Sequence, residues 1–121
     1  MTAPNIAGLT TVTGKVVGLT LTTTSADLVS NAASSNKVFK INTVVVSNID
    51  GTNVASVDVI LDKAGEGGVF YLTKNIDVPA ETTLVVVSKD TQLYLEEGDK
   101  IRAFASAASD LQAICSYEEI S

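Results

Sequence analysis

The sequence contains no histidine and no tryptophan, and its 121 residues include a single cysteine. The absence of histidine removes the commonest general base, the usual nucleophile–histidine pairs and most transition-metal sites. Eight basic residues stand against fourteen acidic ones, and the net charge of -6 has the wrong sign for attracting a phosphate backbone. We therefore expect no enzymatic activity, no cofactor and no nucleic-acid partner.

Long apolar runs are also absent from the sequence. No stretch approaches the roughly 20 residues that span a bilayer, and the first nine residues lack the basic start and apolar centre of a secretory signal. The lone Cys115 lies in the apolar run 111–117, close to Glu118 and Glu119, which disfavour a reactive thiolate. We interpret Cys115 as a buried core residue, in a protein made in the cytoplasm without a membrane partner.

Short runs rich in β-branched residues are abundant, and turn residues separate them. The hydrophobic fraction is 45% and the charged fraction 18%, which supports one folded domain. This pattern predicts an all-β fold, an antiparallel, jelly-roll-like β-sandwich over residues 14–121. The predicted extended runs are 10–24, 38–46, 54–61, 69–72, 76–80, 83–88, 92–95, 101–105 and 111–120.

The run 38–46 is the predicted central strand. Its period of two places one set of side chains on a common face, namely Phe39, Ile41, Thr43 and Val45. The dipeptide Asp50-Gly51 follows, and it is a strong signal for a tight hairpin turn. We therefore predict that the run 54–61 returns beside 38–46 as its hairpin partner.

The first thirteen residues form a polar, threonine-rich arm with too little apolar surface to anchor itself. We expect this flexible arm, residues 1–13, to lie on a neighbouring subunit. The candidate interface residues are Thr2, Ala3, Pro4, Asn5, Ile6, Leu9, Thr10, Thr11 and Thr13.

Two groups of acidic and polar residues could carry chemistry. Glu97 and Asp99 could act as a glycosidase pair only if an apolar pocket raised the pKa of one of them, and we interpret them as solvated turn residues beside a glycine. Asp50, Asn53 and Asp58 could offer oxygen ligands to calcium, but their spacing matches no EF-hand loop. We favour ordinary turn chemistry and predict no metal site.

Glycines and tyrosines give weaker functional signals. Gly65, Gly67 and Gly68 are followed by neither a helix start nor a P-loop lysine, so we interpret them as a hairpin tip. The three tyrosines, Tyr71, Tyr94 and Tyr117, could stack on sugars if they were exposed together. The small number of aromatic residues favours a role for them in the core.

Five segments carry a resemblance to a known class of proteins. They are residues 36–43 (NKVFKINT), 46–52 (VSNIDGT), 78–84 (VPAETTL), 95–101 (LEEGDKI) and 116–120 (SYEEI). These strand and turn segments resemble those of the small virion structural proteins of tailed phages, particularly those that infect marine cyanobacteria. The resemblance covers most of the chain from about residue 13 onward. The resemblance implies a homo-oligomeric virion component, with a trimer as the preferred order, that binds the major capsid protein or neck and tail proteins.

The function that the resemblance implies is that of a non-enzymatic capsid decoration (cement) protein, which acts through contacts between subunits. Two alternatives stay open: a neck-, tail- or fibre-associated structural protein, and a receptor- or carbohydrate-binding β-sandwich module. A hydrolase that uses Glu97 or Asp99 is a third class of hypothesis.

Overall fold

A computed structural model describes Gly8 and residues 11–63 and 68–121. The strands of this part of the chain are β1 (Val12–Thr20), β2 (Ala26–Ser30), β3 (Val38–Asn48), β4 (Ala55–Lys63), β5 (Gly68–Val78), β6 (Thr83–Val87), β7 (Leu93–Leu95), β8 (Asp99–Ala105) and β9 (Leu111–Ile120). A 3-10 turn at Lys89–Thr91 separates β6 from β7. The predicted all-β fold class is confirmed. No helix in the described part is long and apolar enough to cross a membrane.

The strands form two antiparallel sheets that pack face to face. The five-stranded sheet has the order β1-β9-β3-β6, with β7 also paired to β3, and the four-stranded sheet has the order β2-β8-β4-β5. If β6 and β7 are counted as one interrupted strand, this is the strand order of a jelly roll. The predicted antiparallel β-sandwich is therefore confirmed.

Alternating side chains from both sheets fill the space between them. On β8 the buried set is Ile101, Ala103 and Ala105, as the period of two predicts. On β9 it is Leu111, Ala113 and Cys115. Burial raises the pKa of the Cys115 thiol to about 12, so the interpretation of this cysteine as a core residue is confirmed.

The central strand β3 changes face part of the way along its length. Its register with β9 shifts between Ile41 and Thr43, which marks a β-bulge. Phe39 and Ile41 are buried before the bulge, and Val44 and Val46 are buried after it. The prediction that Thr43 and Val45 share the face of Phe39 was wrong, because one extra residue moves all later side chains to the other face.

The predicted hairpin between 38–46 and 54–61 was also wrong. Strand β3 pairs with β6, β7 and β9, whereas β4 pairs with β5 and β8 in the other sheet. Gly51 does not adopt the positive φ that a two-residue hairpin requires. The Asp50 side chain instead accepts the backbone N–H groups of Thr52 and Asn53, at 2.8 and 3.2 Å, and this turn carries the chain from one sheet to the other.

Candidate interaction surface

The turn that holds Glu97 and Asp99 is buried, so its interpretation as a solvated turn was wrong. Asp99 is fully buried, and its Oδ2 accepts from Lys63 Nζ at 2.9 Å and from the backbone N–H of Glu96 at 2.9 Å. Its Oδ1 has no hydrogen-bond partner within the described residues. The Asp99 hydrogen bond is the largest cause of a raised pKa at Lys63. The positive charge of Lys63 therefore compensates the negative charge of the buried Asp99 carboxylate.

Glu97 lies at the same end of the sandwich as Asp99 but makes different contacts. Its Oε2 accepts the backbone N–H of Asn36. Nearby, the buried Asn31 donates through Nδ2 to the carbonyl oxygens of Lys37 and Leu95, at 2.9 and 3.1 Å. These polar groups satisfy the backbone of the loop between β2 and β3, which indicates a structural role for Glu97.

Of the three residues considered as calcium ligands, Asp50 and Asn53 share one turn, where Asn53 Nδ2 donates to Asp50 Oδ2 at 3.2 Å, and Asp58 lies on β4. The Asp50 carboxylate accepts hydrogen bonds from its own turn, and the backbone bond from Thr52 is the largest cause that lowers its pKa to about 2. The Asp58 carboxylate accepts the backbone N–H of Asn75 on β5 at 3.2 Å. Within the described residues no group of three or more histidine, cysteine or acidic side chains is placed to hold a metal ion.

The three tyrosines do not form one surface. Tyr117 stacks on Phe39, with 5.1 Å between the ring centroids. Tyr71 and Tyr94 are both about half exposed, but they lie on β5 and β7 in different sheets. The residues between β4 and β5, where the predicted hairpin tip lies, are outside the described part, although Lys63 and Gly68 are paired as the ends of a hairpin.

Most of the predicted arm, residues 1–7, 9 and 10, lies outside the described residues. Two of its candidate interface residues are described. Thr11 exchanges two backbone hydrogen bonds with Ser121, at 2.9 and 3.0 Å, and Thr13 lies in β1 opposite Glu119. The sheet therefore begins at Val12, before the predicted arm boundary at residue 13.

Strand β1 is an outer strand of the five-stranded sheet. It pairs with β9 over nine consecutive residue pairs, from Val12–Ile120 to Thr20–Gln112, without a register shift. No strand of the described part pairs with its other side. Two valines on β1 are among the most exposed apolar residues described, since Val12 is 61% and Val16 is 69% exposed.

The backbone groups that point away from β9 follow from the antiparallel ladder. Thr11 exchanges backbone hydrogen bonds with Ser121, and the N–H of Leu21 donates to the carbonyl oxygen of Leu111. In a regular antiparallel ladder, residues that bond to the neighbouring strand alternate with residues whose N–H and C=O point away from it. The odd-numbered residues of β1 therefore bond to β9. Five residues direct both N–H and C=O to the free edge, and they are Val12, Gly14, Val16, Gly18 and Thr20.

The other three sheet edges of the described part are interrupted. Strand β2 has five residues and a register shift between Asp27 and Val29. Strand β5 has two register shifts against β4. The edge formed by β6 and β7 is broken by the turn at Lys89–Thr91. Bulges and short strands protect edges from unwanted pairing, and β1 has neither.

The outer face of the five-stranded sheet carries an apolar row beside this edge. Its members are directly opposite one another across four strands, in the order Gly18, Ile114, Val45 and Val85. Ile114 and Val85 are about half exposed. At the β1 end of the row lies a depression of about 270 Å³, to which Gly18 contributes no side chain; it is lined by Gly18, Leu19, Thr20, Gln112, Ala113 and Ile114.

The charges of the five-stranded sheet balance. Its strands carry Lys15, Lys40, Glu118 and Glu119, so the net charge of -6 comes from the rest of the chain. Lys15 Nζ on β1 lies 3.1 Å from Glu119 Oε2. The hydrogen bond from Lys37 and then that from Lys15 hold the pKa of Glu119 below its usual range. The β1 edge therefore presents no uncompensated charge.

Sequence reasoning did not identify the β1 edge as a surface, although a signal was present. The segment Val12-Thr-Gly14-Lys-Val16-Val-Gly18 alternates valine and glycine at every second position. In a strand these residues share one face, and glycine is a poor choice for a face that packs in a core.

No family model matches the chain, and no curated protein matches it. Among solved structures, one match is a chain from work described as "Bacillus endospore appendages form a novel family of disulfide-linked pili". Its TM-score is 0.54 at 13% sequence identity, and the match covers 98% of this chain and 95% of that one. At this identity the likeness shows a shared fold.

Proposed function

We propose that this chain is a non-enzymatic structural protein of a tailed-phage particle and that it acts as a capsid decoration (cement) protein through contacts between subunits. The observation that carries the proposal is the uninterrupted β1 edge, whose only charge, Lys15, is compensated by Glu119, beside an exposed apolar row. An edge of this kind is a template for pairing with another chain. The phage setting rests on the resemblance of segments such as 36–43 and 95–101.

The carboxylates that could have served catalysis support the same proposal. Asp99 is paired with Lys63, and Glu97 accepts from a backbone N–H group. Both side chains therefore stabilise the end of the sandwich. A hydrolase would instead direct such a pair into a cleft that a substrate can enter.

The solved structure that shares the fold is described as forming pili, which are assemblies of repeated subunits. That description agrees with a structural role here. Its disulfide linkage does not transfer to this chain, because the sole cysteine, Cys115, is fully buried. Copies of this protein would have to associate through non-covalent contacts.

A receptor- or carbohydrate-binding module is the second candidate. The observation in its favour is the start of β5, where Val69, Phe70 and Tyr71 are all about half exposed. Since successive residues of a strand point to opposite faces, this end of the hairpin is exposed on both faces. Exposed aromatic side chains are typical of recognition sites.

Quantitative mass spectrometry of purified particles tests the proposal. We expect a copy number comparable to that of the major capsid protein, as decoration of the shell requires. A small fixed number would indicate the neck or tail instead. Absence from the particles would overturn the virion proposal, and binding on a glycan array would then favour the recognition module.

A further inference from the structure

We infer that two copies of this chain associate through their β1 strands, which pair antiparallel across a two-fold axis at Val16 and join the two five-stranded sheets. This inference deepens the proposed structural function, on which it rests for the expectation that copies associate. The occupant of the β1 edge is thus a second copy of the same strand.

Only one self-pairing register uses every free backbone group of β1. The five outward-facing residues lie at every second position from Val12 to Thr20, with Val16 in the middle. When Val16 opposes Val16 of the second copy, Gly14 opposes Gly18 and Val12 opposes Thr20. Each strand then satisfies its five outward N–H and five outward C=O groups. If the two-fold axis lay at Gly14 or Gly18 instead, some of these N–H and C=O groups would have no partner.

The side chains on the outer face fit the same register. Val16 meets its counterpart at the axis, between glycines that leave room for both side chains. The diagonal neighbours of Gly18 are Val12 and Val16 of the second copy. The depression over Gly18 and Ile114 can therefore receive a valine side chain that is otherwise exposed to water. Each copy offers both the depression and the valine, as an isologous contact requires.

Electrostatics permit the approach of two acidic chains at this edge. Lys15 is the sole charged residue of β1, and Glu119 compensates it at 3.1 Å. In the proposed register Lys15 opposes Val17 of the second copy and lies diagonal to the other Lys15. The nearby glutamates reduce the repulsion between these two lysines.

A closed ring of three would need a different contact. Copies in such a ring pair head to tail, so β1 would have to bind another edge. The available edges in the described part are β2, β5 and β6 with β7, and each is bulged or broken. The geometry therefore favours a dimer over the trimer that the phage resemblance implies.

Sedimentation and light scattering of the full chain test the inference first. We expect twice the mass of one chain, with a dimer that dissociates on dilution. Val16→Pro removes two hydrogen bonds at the axis, one from each copy, and we expect it to weaken the dimer at least about 30-fold. A monomer at all concentrations, a trimer, or an unweakened Val16→Pro dimer would overturn the inference.

Two cysteine variants test the register independently of proline. At the axis the facing Cα atoms are about 5.5 Å apart, which suits a disulfide, so Val16→Cys should cross-link on mild oxidation. Val12→Cys is the matched control, because the same register separates the two copies of residue 12 by about 27 Å. Both sites are exposed, whereas the chain's own cysteine, Cys115, is fully buried and should not compete for cross-linking. Equal cross-linking of the two variants contradicts the pairing.

These measurements separate the two proposals. A dimer in solution with no copies in the particle would leave the β1 contact intact and overturn the virion function. Copies in the particle with a monomeric chain in solution, or with cross-linking at Val12→Cys alone, would retain the function and overturn the β1 contact.

Discussion

Strands β1 and β5 are outer strands at diagonally opposite corners of the sandwich, since β1 packs over β2 and β5 over β6. β1 keeps one register with its neighbour over nine residue pairs. β5 is longer, with eleven residues, but its register against β4 shifts twice. At one of these shifts Asn75 has a positive φ of 51°, and Asp58 accepts its N–H.

The difference shows that exposed apolar area alone does not make an edge available for pairing. β5 has the larger exposed side chains, including Phe70 and Tyr71, yet its bulges twist the unpaired backbone groups out of line. β1 has smaller side chains and a straight ladder. A second chain can add to β1 with an uninterrupted set of hydrogen bonds.

The largest expected effect on stability comes from substituting proline for a β1 residue whose backbone N–H bonds to β9. Val17→Pro removes a bond to Cys115 and leaves a partly buried carbonyl without its partner, so we expect a loss of about 2–3 kcal/mol in the free energy of unfolding. Val16→Pro is the control, because its N–H points to the free edge, and we expect a change within about 0.5 kcal/mol. Urea unfolding under dilution, with each variant monomeric, measures both. Similar losses in the two variants would show that the free edge has been assigned to the wrong residues.

The next effect concerns the bulge in β5. Asn75→Val places a β-branched side chain at positive φ, where the left-handed conformation costs roughly 1–2 kcal/mol. Asn75→Gly removes the same amide but carries no such strain, so we expect it to stay within about 0.5 kcal/mol of the parent chain. Urea unfolding compares the two. Equal stability of Asn75→Val and Asn75→Gly would mean that the bulge does not hold its positive φ in solution.

The smallest expected effect is electrostatic and depends on pH. The pKa of Glu119 is lowered in the folded state, so its contribution to stability is present above its ordinary pKa of 4.5 and is lost as the pH falls through the folded value. Glu119→Gln should cost about 0.5 kcal/mol at pH 7, after allowance for the exposure of its lysine partners, and nothing in strong acid.

Asp77→Asn on β5 is the matched control for Glu119→Gln, because Asp77 is exposed. We expect it to change the stability at pH 7 by less than Glu119→Gln does. Unfolding curves from pH 7 down to pH 2 provide the comparison. A difference between Glu119→Gln and the parent chain that persists at pH 2 would contradict the assignment of the effect to charge.

Much of the fold could be predicted from local patterns. The predicted extended runs 101–105 and 111–120 lie within β8 and β9, and Cys115 was placed in the core because its neighbours are apolar. The face switch in β3 was missed, although Val44 and Val46 are apolar, because a bulge is a property of two paired strands. The predicted pairing of β3 with β4 was wrong because Asp50 gives the same turn signal where the chain crosses between sheets as it does in a hairpin.

The candidate surface was less predictable than the fold. The polar composition of residues 1–13 predicted that the arm is the interface, and the valines of β1 were treated only as part of the predicted extended run 10–24. Whether a strand is central or outer depends on which distant segments pair with it. Local sequence carries little information on that choice, because the pairing partner of β1 is β9 at the other end of the chain.

The sequence by itself determined that the chain forms strands and one core, because β-branched residues at a period of two bury a face only in a sheet. It also determined that Cys115 is a core residue. The tertiary structure decided which edge stays open, where Asp99 is buried against Lys63, and how the sheets exchange strands. These features depend on contacts between residues far apart in the chain, and such contacts become defined only when the two sheets pack together.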